Sequence, residues 1–66
     1  MTYKEAIDAG YYHADQKYER GYMSRKVDID TLPVCEAKGS RRGWLYVPMP
    51  CWHSTQYIIR QYLYKP

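Results

Sequence analysis

The sequence predicts a small α+β domain, in which one N-terminal amphipathic helix packs on a three-stranded antiparallel sheet. A helical stripe runs through the first third of the chain, two strand-like runs flank a glycine-containing turn, and a segment rich in tyrosine and isoleucine closes the sequence. We expect a single domain over residues 1–66, with a helix at about 3–24, a hairpin at about 33–48 and a last strand at about 56–64.

The helix prediction rests on a start signal and a periodicity. Thr2 and Glu5 have the S/T-x-x-E spacing of a capping box. Steps of three and four residues then align one stripe of mostly apolar side chains: Tyr3, Ile7, Tyr11, Ala14, Tyr18, Tyr22 and Arg25. Gly10 and Gly21 each cost about 1 kcal/mol relative to alanine inside a helix. Gly21 is an alternative end for this helix.

The hairpin is predicted from two strand-like runs, "VCEA" and "WLYVP", on either side of "KGSRRG". Glycine and serine are residues typical of turns, and we expect a loop of roughly four to six residues. Pro48 and Pro50 should stop the second strand, because proline cannot donate a hydrogen bond to a sheet ladder.

The last segment, "STQYIIRQYLYKP", fits two structures. Ser54 could cap a helix, which gives the alternative fold of helix, β-hairpin and C-terminal helix. Tyrosine and isoleucine favour a strand, and strict alternation places Tyr57, Ile59, Gln61 and Leu63 on one side. We prefer the strand.

Composition limits the core. A chain of 66 residues buries only ~60% of the surface that its unfolded form exposes, and this one has no phenylalanine and nine tyrosines. Tyrosine buries its ring while the hydroxyl stays bonded or solvated, and interfaces use the same property. The tyrosines therefore serve both the core and any binding surface.

The formal net charge of +3 comes entirely from the second half of the chain. Residues 34–66 contain five lysines and arginines and one glutamate, whereas residues 1–33 contain five basic and six acidic residues. This asymmetry suggests an anionic partner for the second half. The alternative is a hairpin tip that carries charge for solubility alone.

The beginning of the sequence, "MTYKEAIDAG", has no apolar signal region. No window approaches the ~18 apolar residues of a membrane span. We therefore expect a cytoplasmic location and no membrane partner. Two cysteines sixteen positions apart are expected to be free thiols in such a compartment.

Alternation also predicts what each face of the sheet carries. The helix should cover Leu45, Val47, Ile59 and Leu63. The opposite face and the adjoining hairpin tip are then the candidate contact surface for a partner or a nucleic acid, and they combine aromatic and basic residues: Lys38, Arg41, Arg42, Trp44, Tyr46, Arg60, Tyr62 and Tyr64.

Metal binding and catalysis have weak support. Cys51 and His53 lie two residues apart, and Cys35 and His13 could complete a zinc site, but structural zinc sites usually show two close ligand pairs and this chain has one. His53 beside Cys51 or Ser54 lacks an orienting third group. We predict no enzyme activity, no metal and no cofactor.

Two classes of function remain. The preferred one is a small protein-interaction module, either a homodimer or an adaptor or inhibitor of the phage or plasmid type, because tyrosine, tryptophan and arginine dominate interface hot spots. The alternative is a nucleic-acid-binding accessory protein with a basic hairpin tip and an aromatic sheet face. It has none of the diagnostic strings of such proteins.

Overall fold

A computed structural model describes residues 1–66 as one short helix and one four-stranded antiparallel sheet. The helix is α1 (Tyr3–Asp8), and the strands are β1 (Tyr12–Arg20), β2 (Cys35–Glu36), β3 (Leu45–Pro50) and β4 (Tyr57–Tyr64). Two 3-10 turns lie at Ile29–Thr31 and Gly39–Arg41. The strand order across the sheet is β1-β4-β3-β2.

The α+β class is therefore confirmed, with a fourth strand that the sequence analysis missed. The last strand lies at Tyr57–Tyr64, as predicted at about 56–64, and the alternative of a C-terminal helix is wrong. The hairpin is formed by β2 and β3, but its first strand is only two residues long. The chain has no helix with the length and apolarity needed to cross a membrane.

The predicted helix at about 3–24 is wrong beyond its first turns. Its start is as expected: the Thr2 hydroxyl accepts a hydrogen bond from the Glu5 N–H, and the Glu5 carboxylate accepts one from the Thr2 N–H. Its end is set by Gly10, whose φ of +105° lies in the left-handed region. The N–H of Gly10 bonds the Ile7 carbonyl, and the N–H of Tyr11 bonds the Ala6 carbonyl. This pair of bonds is a Schellman motif, which ends a helix.

Soon after Gly10 the chain forms β1, which is the additional strand that was not predicted. A β-bulge at Ala14 shifts the pairing of β1 with β4 between His13 and Asp15. The bulge interrupts the two-residue alternation that would have marked a strand in the sequence. The helical stripe that we predicted through Tyr18 and Tyr22 is therefore a coincidence of tyrosine spacing, and tertiary pairing with β4 decides the structure.

The capping box gives a prediction for acid conditions. Hydrogen bonds from the Thr2 backbone and side chain lower the pKa of Glu5 below its usual 4.5. The unfolded chain then binds a proton more tightly, so the stabilisation is present above pH 4.5 and is lost as the pH falls through the lower, folded value. Glu5→Gln, which keeps a neutral acceptor, should have a lower Tm than wild type at pH 7 and the same Tm in acid.

Thermal unfolding followed by circular dichroism from pH 7 to pH 3 measures this convergence. Glu36→Gln, at an exposed carboxylate on β2, is the matched control and should track wild type throughout. A gap between Glu5→Gln and wild type that stays constant across this range would contradict a role for the Glu5 charge.

The core lies between α1 and one face of the sheet. Ala6 of α1 packs with Val47 and Met49 of β3 and Leu63 of β4, all buried. Half-buried side chains surround this cluster, including two that were predicted to face the helix, Leu45 and Ile59. The predicted assignment of the covered face is therefore confirmed. With eight of 66 residues buried, the core is small, as expected for a chain of this length.

β3 continues through Pro50, so the prediction that Pro48 and Pro50 stop it is wrong. The Trp44 carbonyl accepts a hydrogen bond from the Ala37 N–H, on the side of β3 that faces β2. Backbone groups alternate in direction along a strand, so those of Tyr46, Pro48 and Pro50 point to the same side. The pairing of β2 with β3 ends at Tyr46. The two prolines therefore remove no hydrogen bond from the sheet.

Candidate functional site

The sheet face opposite α1 collects most of the predicted contact residues. We call it the open face and define it by the residues that point away from α1: Tyr12, Asp15, Lys17 and Glu19 of β1, Tyr46 of β3, Arg60, Tyr62 and Tyr64 of β4, with Trp44 just before β3 and Arg41 of the 3-10 turn packed onto them. Register explains the set, because directly opposed residues of antiparallel strands share a face. Tyr46 lies opposite Tyr62, and Tyr12 lies opposite Tyr64.

The rings of the open face are in contact with one another. The Trp44 and Tyr64 ring centroids are 5.1 Å apart, and Tyr12 meets Tyr64 edge-on at 6.0 Å. Tyr46 and Tyr62 form a second, separate pair at 6.1 Å. These separations are within the range of favourable aromatic pairs. The rings therefore form two ordered groups.

Arg41 joins the two groups of rings. Its guanidinium carbon lies 5.0 Å from the Trp44 ring centroid and 4.4 Å from the Tyr62 ring centroid. The same guanidinium forms an ion pair with Asp15 of β1. The 3-10 turn at Gly39–Arg41 therefore folds this side chain back onto the sheet, whereas the sequence suggested an exposed turn tip for both arginines. Of the two arginines, only Arg42 is exposed.

Arg60 makes the same two kinds of contact at the next position of the sheet. Its guanidinium carbon lies 4.5 Å from the Tyr46 ring centroid, and its Nε lies 3.1 Å from a carboxylate oxygen of Glu19. The Tyr62 hydroxyl contributes most to a raised pKa of Arg60, and the Glu19 charge adds to it. Stacking and ion pairing thus hold both arginines in place.

The carboxylates of β1 change the electrostatics of the surface. Asp15 and Glu19 reach the open face because alternation resumes after the bulge. Each pairs with one arginine, so the arginines of the open face are locally neutralised. Neither carboxylate nor Tyr12 is among the predicted contact residues, because the sequence pattern predicts a helix in this part of the chain. The bulge at Ala14 hid the pattern that could have found them.

Two predicted basic residues lie beside the open face without a carboxylate partner. Lys38 and Arg42 are exposed on the β2–β3 connection and take part in no ion pair. Lys38 borders a shallow groove of about 230 Å³ that also contacts Tyr46, Arg60 and Tyr62. Free positive charge therefore lies at one side of the open face, at Lys38 and Arg42, and on its β1 strand, at Lys17.

The weak metal candidates are not brought together. Cys35 is exposed on β2, and Cys51 is buried after β3. His53 is exposed in the β3–β4 connection, and His13 bonds the Tyr3 hydroxyl at 2.7 Å. No group of three histidine, cysteine, aspartate or glutamate residues in the structure could hold a metal ion.

Comparison with known proteins adds no family to this description: the chain matches no protein-family model, no curated protein and no solved structure.

Proposed function

We propose that this chain is a small non-enzymatic protein-interaction module that binds a partner protein through its open face. The observation that carries the proposal is that Arg41 and Arg60 each form an ion pair, with Asp15 and Glu19 respectively, while their guanidinium groups stack on the aromatic rings of the open face. Such a surface is aromatic, rich in arginine and nearly neutral, which is the composition of interface hot spots.

Order within the surface supports the same function. Binding costs conformational entropy for each side chain that must be immobilised. Here each arginine is already held by a carboxylate and by a ring. The open face would therefore lose little side-chain freedom on binding, which favours affinity for a surface of complementary shape.

The charges also indicate the chemistry of the partner. The carboxylates of Asp15 and Glu19 would repel nucleic-acid phosphates that approach the rings, and they reduce the positive potential that such binding needs. Lys38 and Arg42, at one side of the open face, have positive charges that no carboxylate pairs with. A partner with an apolar patch next to an acidic cluster fits this arrangement. Nucleic acid is the competing outcome of the test, and Lys17, Lys38 and Arg42 would be its available phosphate contacts.

The test is affinity capture with the immobilised chain from a lysate of its source cells, with and without nuclease. We expect a protein that survives nuclease treatment and is lost with Trp44→Ala. Arg42→Glu should weaken capture without affecting the fold, because the Arg42 side chain is exposed and makes no ion pair. Circular dichroism checks that each variant is folded.

Trp52→Ala is the matched control, since Trp52 is 53% exposed and lies at the other end of β3 from Trp44. Capture should be unchanged in this variant. Capture that disappears with nuclease, together with oligonucleotide binding that weakens steeply with salt, would replace the proposal with the nucleic-acid function. Equal loss of capture in both tryptophan variants would remove the open face as the site.

A further inference from the structure

The outer edge of β1 is the longest unpaired strand edge of the protein. β1 has nine residues, pairs on one side with β4, and is exposed at every residue except Glu19, which is half-buried. The opposite edge of the sheet offers only two residues of β2 and the prolines of β3. Unpaired edges of this length are places where another strand can add to a sheet.

The backbone groups that face outwards can be identified from the hydrogen bonds to β4. The Gly21 N–H donates to the Gln56 carbonyl, at the position after the last pair of β1 with β4. Because backbone groups alternate in direction along a strand, Gly21, Glu19 and Lys17 face β4. Gln16, Tyr18 and Arg20 then direct their N–H and C=O groups towards the free edge, where the Gln16 N–H donates to the Asp15 carboxylate at 2.8 Å.

We propose that two copies of this chain associate through these edges, with their β1 strands antiparallel and related by a two-fold axis at Tyr18. The proposal rests on the proposed function, that the chain acts by binding proteins, and it names a second copy as one partner. This partner binds at the β1 edge, which borders the open face and lies away from its aromatic rings. In this register Tyr18 pairs with Tyr18 of the second copy, and Gln16 pairs with Arg20 in both directions. The Tyr18 pair exchanges two main-chain hydrogen bonds, and each Gln16–Arg20 pair does so once the Gln16 N–H leaves the Asp15 carboxylate.

Charge complementarity and the position of the bulge together select this register. With the axis at Tyr18, Lys17 of each copy lies directly opposite Glu19 of the other, on the face where both side chains point. Moving the axis to Lys17 would oppose two lysines and also place Asp15 against Glu19. Moving it to Glu19 would oppose two glutamates. Moving it to Gln16 would oppose Lys17 to Asp15, but it would also place the bulge at Ala14 opposite Tyr18 and interrupt the pairing. A two-fold axis perpendicular to the sheet requires opposed residues to share a face. Registers in which the axis lies between two neighbouring residues would oppose side chains of different faces, and they are therefore excluded.

The bulge of β1 does not block this pairing. It lies at Ala14, between His13 and Asp15, and the pairing with β4 is regular from Asp15 to Arg20. Lys17, whose charge could protect an edge strand, meets an opposite charge in the selected register. An interface made by one strand pair is at the small end of stable interfaces, so we expect reversible association that depends on protein concentration.

Disulfide trapping tests the register. Cys35→Ser removes the exposed thiol, whereas Cys51 is 3% exposed and can remain. In this background Tyr18→Cys should form a covalent dimer under mild oxidation, since Cα atoms of a hydrogen-bonded pair lie about 5.5 Å apart. Gln16→Cys, on the same face, is the control, because its two copies would lie about 13 Å apart along the strands. Absence of the Tyr18→Cys dimer, or equal trapping of both variants, would overturn the proposal.

Sedimentation of the unmodified chain over a concentration series tests the association itself. We expect a monomer–dimer equilibrium that Lys17→Glu weakens by about tenfold or more, because two attractive pairs become repulsive. Trp44→Ala should leave this equilibrium unchanged. A monomer at all concentrations would refute the β1 pairing and leave capture through the open face to be decided by its own test. A chain that dimerises but captures no partner protein would support the β1 pairing and refute capture through the open face.

Discussion

Leu63→Ala is expected to lower the free energy of unfolding by about 2 to 5 kcal/mol, because Leu63 is the largest side chain that is fully buried. Leu63 is fully buried, pairs with Leu45 across β3 and β4, and belongs to the four-residue cluster that α1 covers. Few other side chains could fill the cavity. Since a domain of this size is stabilised by only about 5 kcal/mol or somewhat more, a large fraction of the variant should be unfolded at 37 °C.

Urea unfolding followed by circular dichroism measures this loss. Ile7→Ala removes a similar apolar side chain from a position that is 37% exposed on α1, and we expect it to cost less than about 1 kcal/mol. If the two variants lost equal stability, the core would not lie between α1 and the centre of the sheet.

Gly10→Ala is expected to lower the free energy of unfolding by about 1 to 2 kcal/mol through the backbone alone. A Cβ added at Gly10 would meet only the Lys65 side chain, at an ordinary contact distance of 3.6 Å, so the cost is not steric. It arises from the φ of +105°, which the Schellman motif requires and which alanine adopts unfavourably. Loss of the motif would also disturb the entry into β1.

Gly21→Ala is the matched control for this prediction. Gly21 has no positive φ, and an added Cβ would contact Ile58 at 3.5 Å. We expect a change within about 0.5 kcal/mol, or a small gain from the lower entropy of the unfolded chain. Equal destabilisation by both substitutions, measured by urea unfolding, would show that backbone conformation is not what distinguishes Gly10.

The parts of the fold that could be predicted are those where a single local sequence pattern determines the structure and no other pattern competes with it. Alternation in β3 and β4 correctly separates Leu45 and Leu63 from Tyr46 and Tyr62, because each side of that pattern is either covered by α1 or left open. The capping box likewise gives the start of the helix at Thr2. These features depend on neighbours within a few residues, so the sequence carries them directly.

The parts that could not be predicted depend on contacts between distant residues. In the first third of the chain, tyrosines spaced by three and four fit a helix as well as a strand, and the pairing of β1 with β4 decides between them. The ion pairs of Asp15 and Glu19 follow from that pairing. The candidate site was therefore predicted for its β3 and β4 side chains, while the carboxylates that alter its charge were not.

Pro48 and Pro50 do not end β3, but they do affect how the sheet can pair with other strands. β2 has only two residues and leaves the rest of the β3 edge uncovered. The prolines lie on this uncovered edge, and they have no N–H group to donate to another strand. A protein whose sheet could grow at both edges could add copies without end and form a fibre. Here only β1 offers a long free edge, so the proposed pairing of two copies would leave no second edge for growth and the assembly would limit its own size.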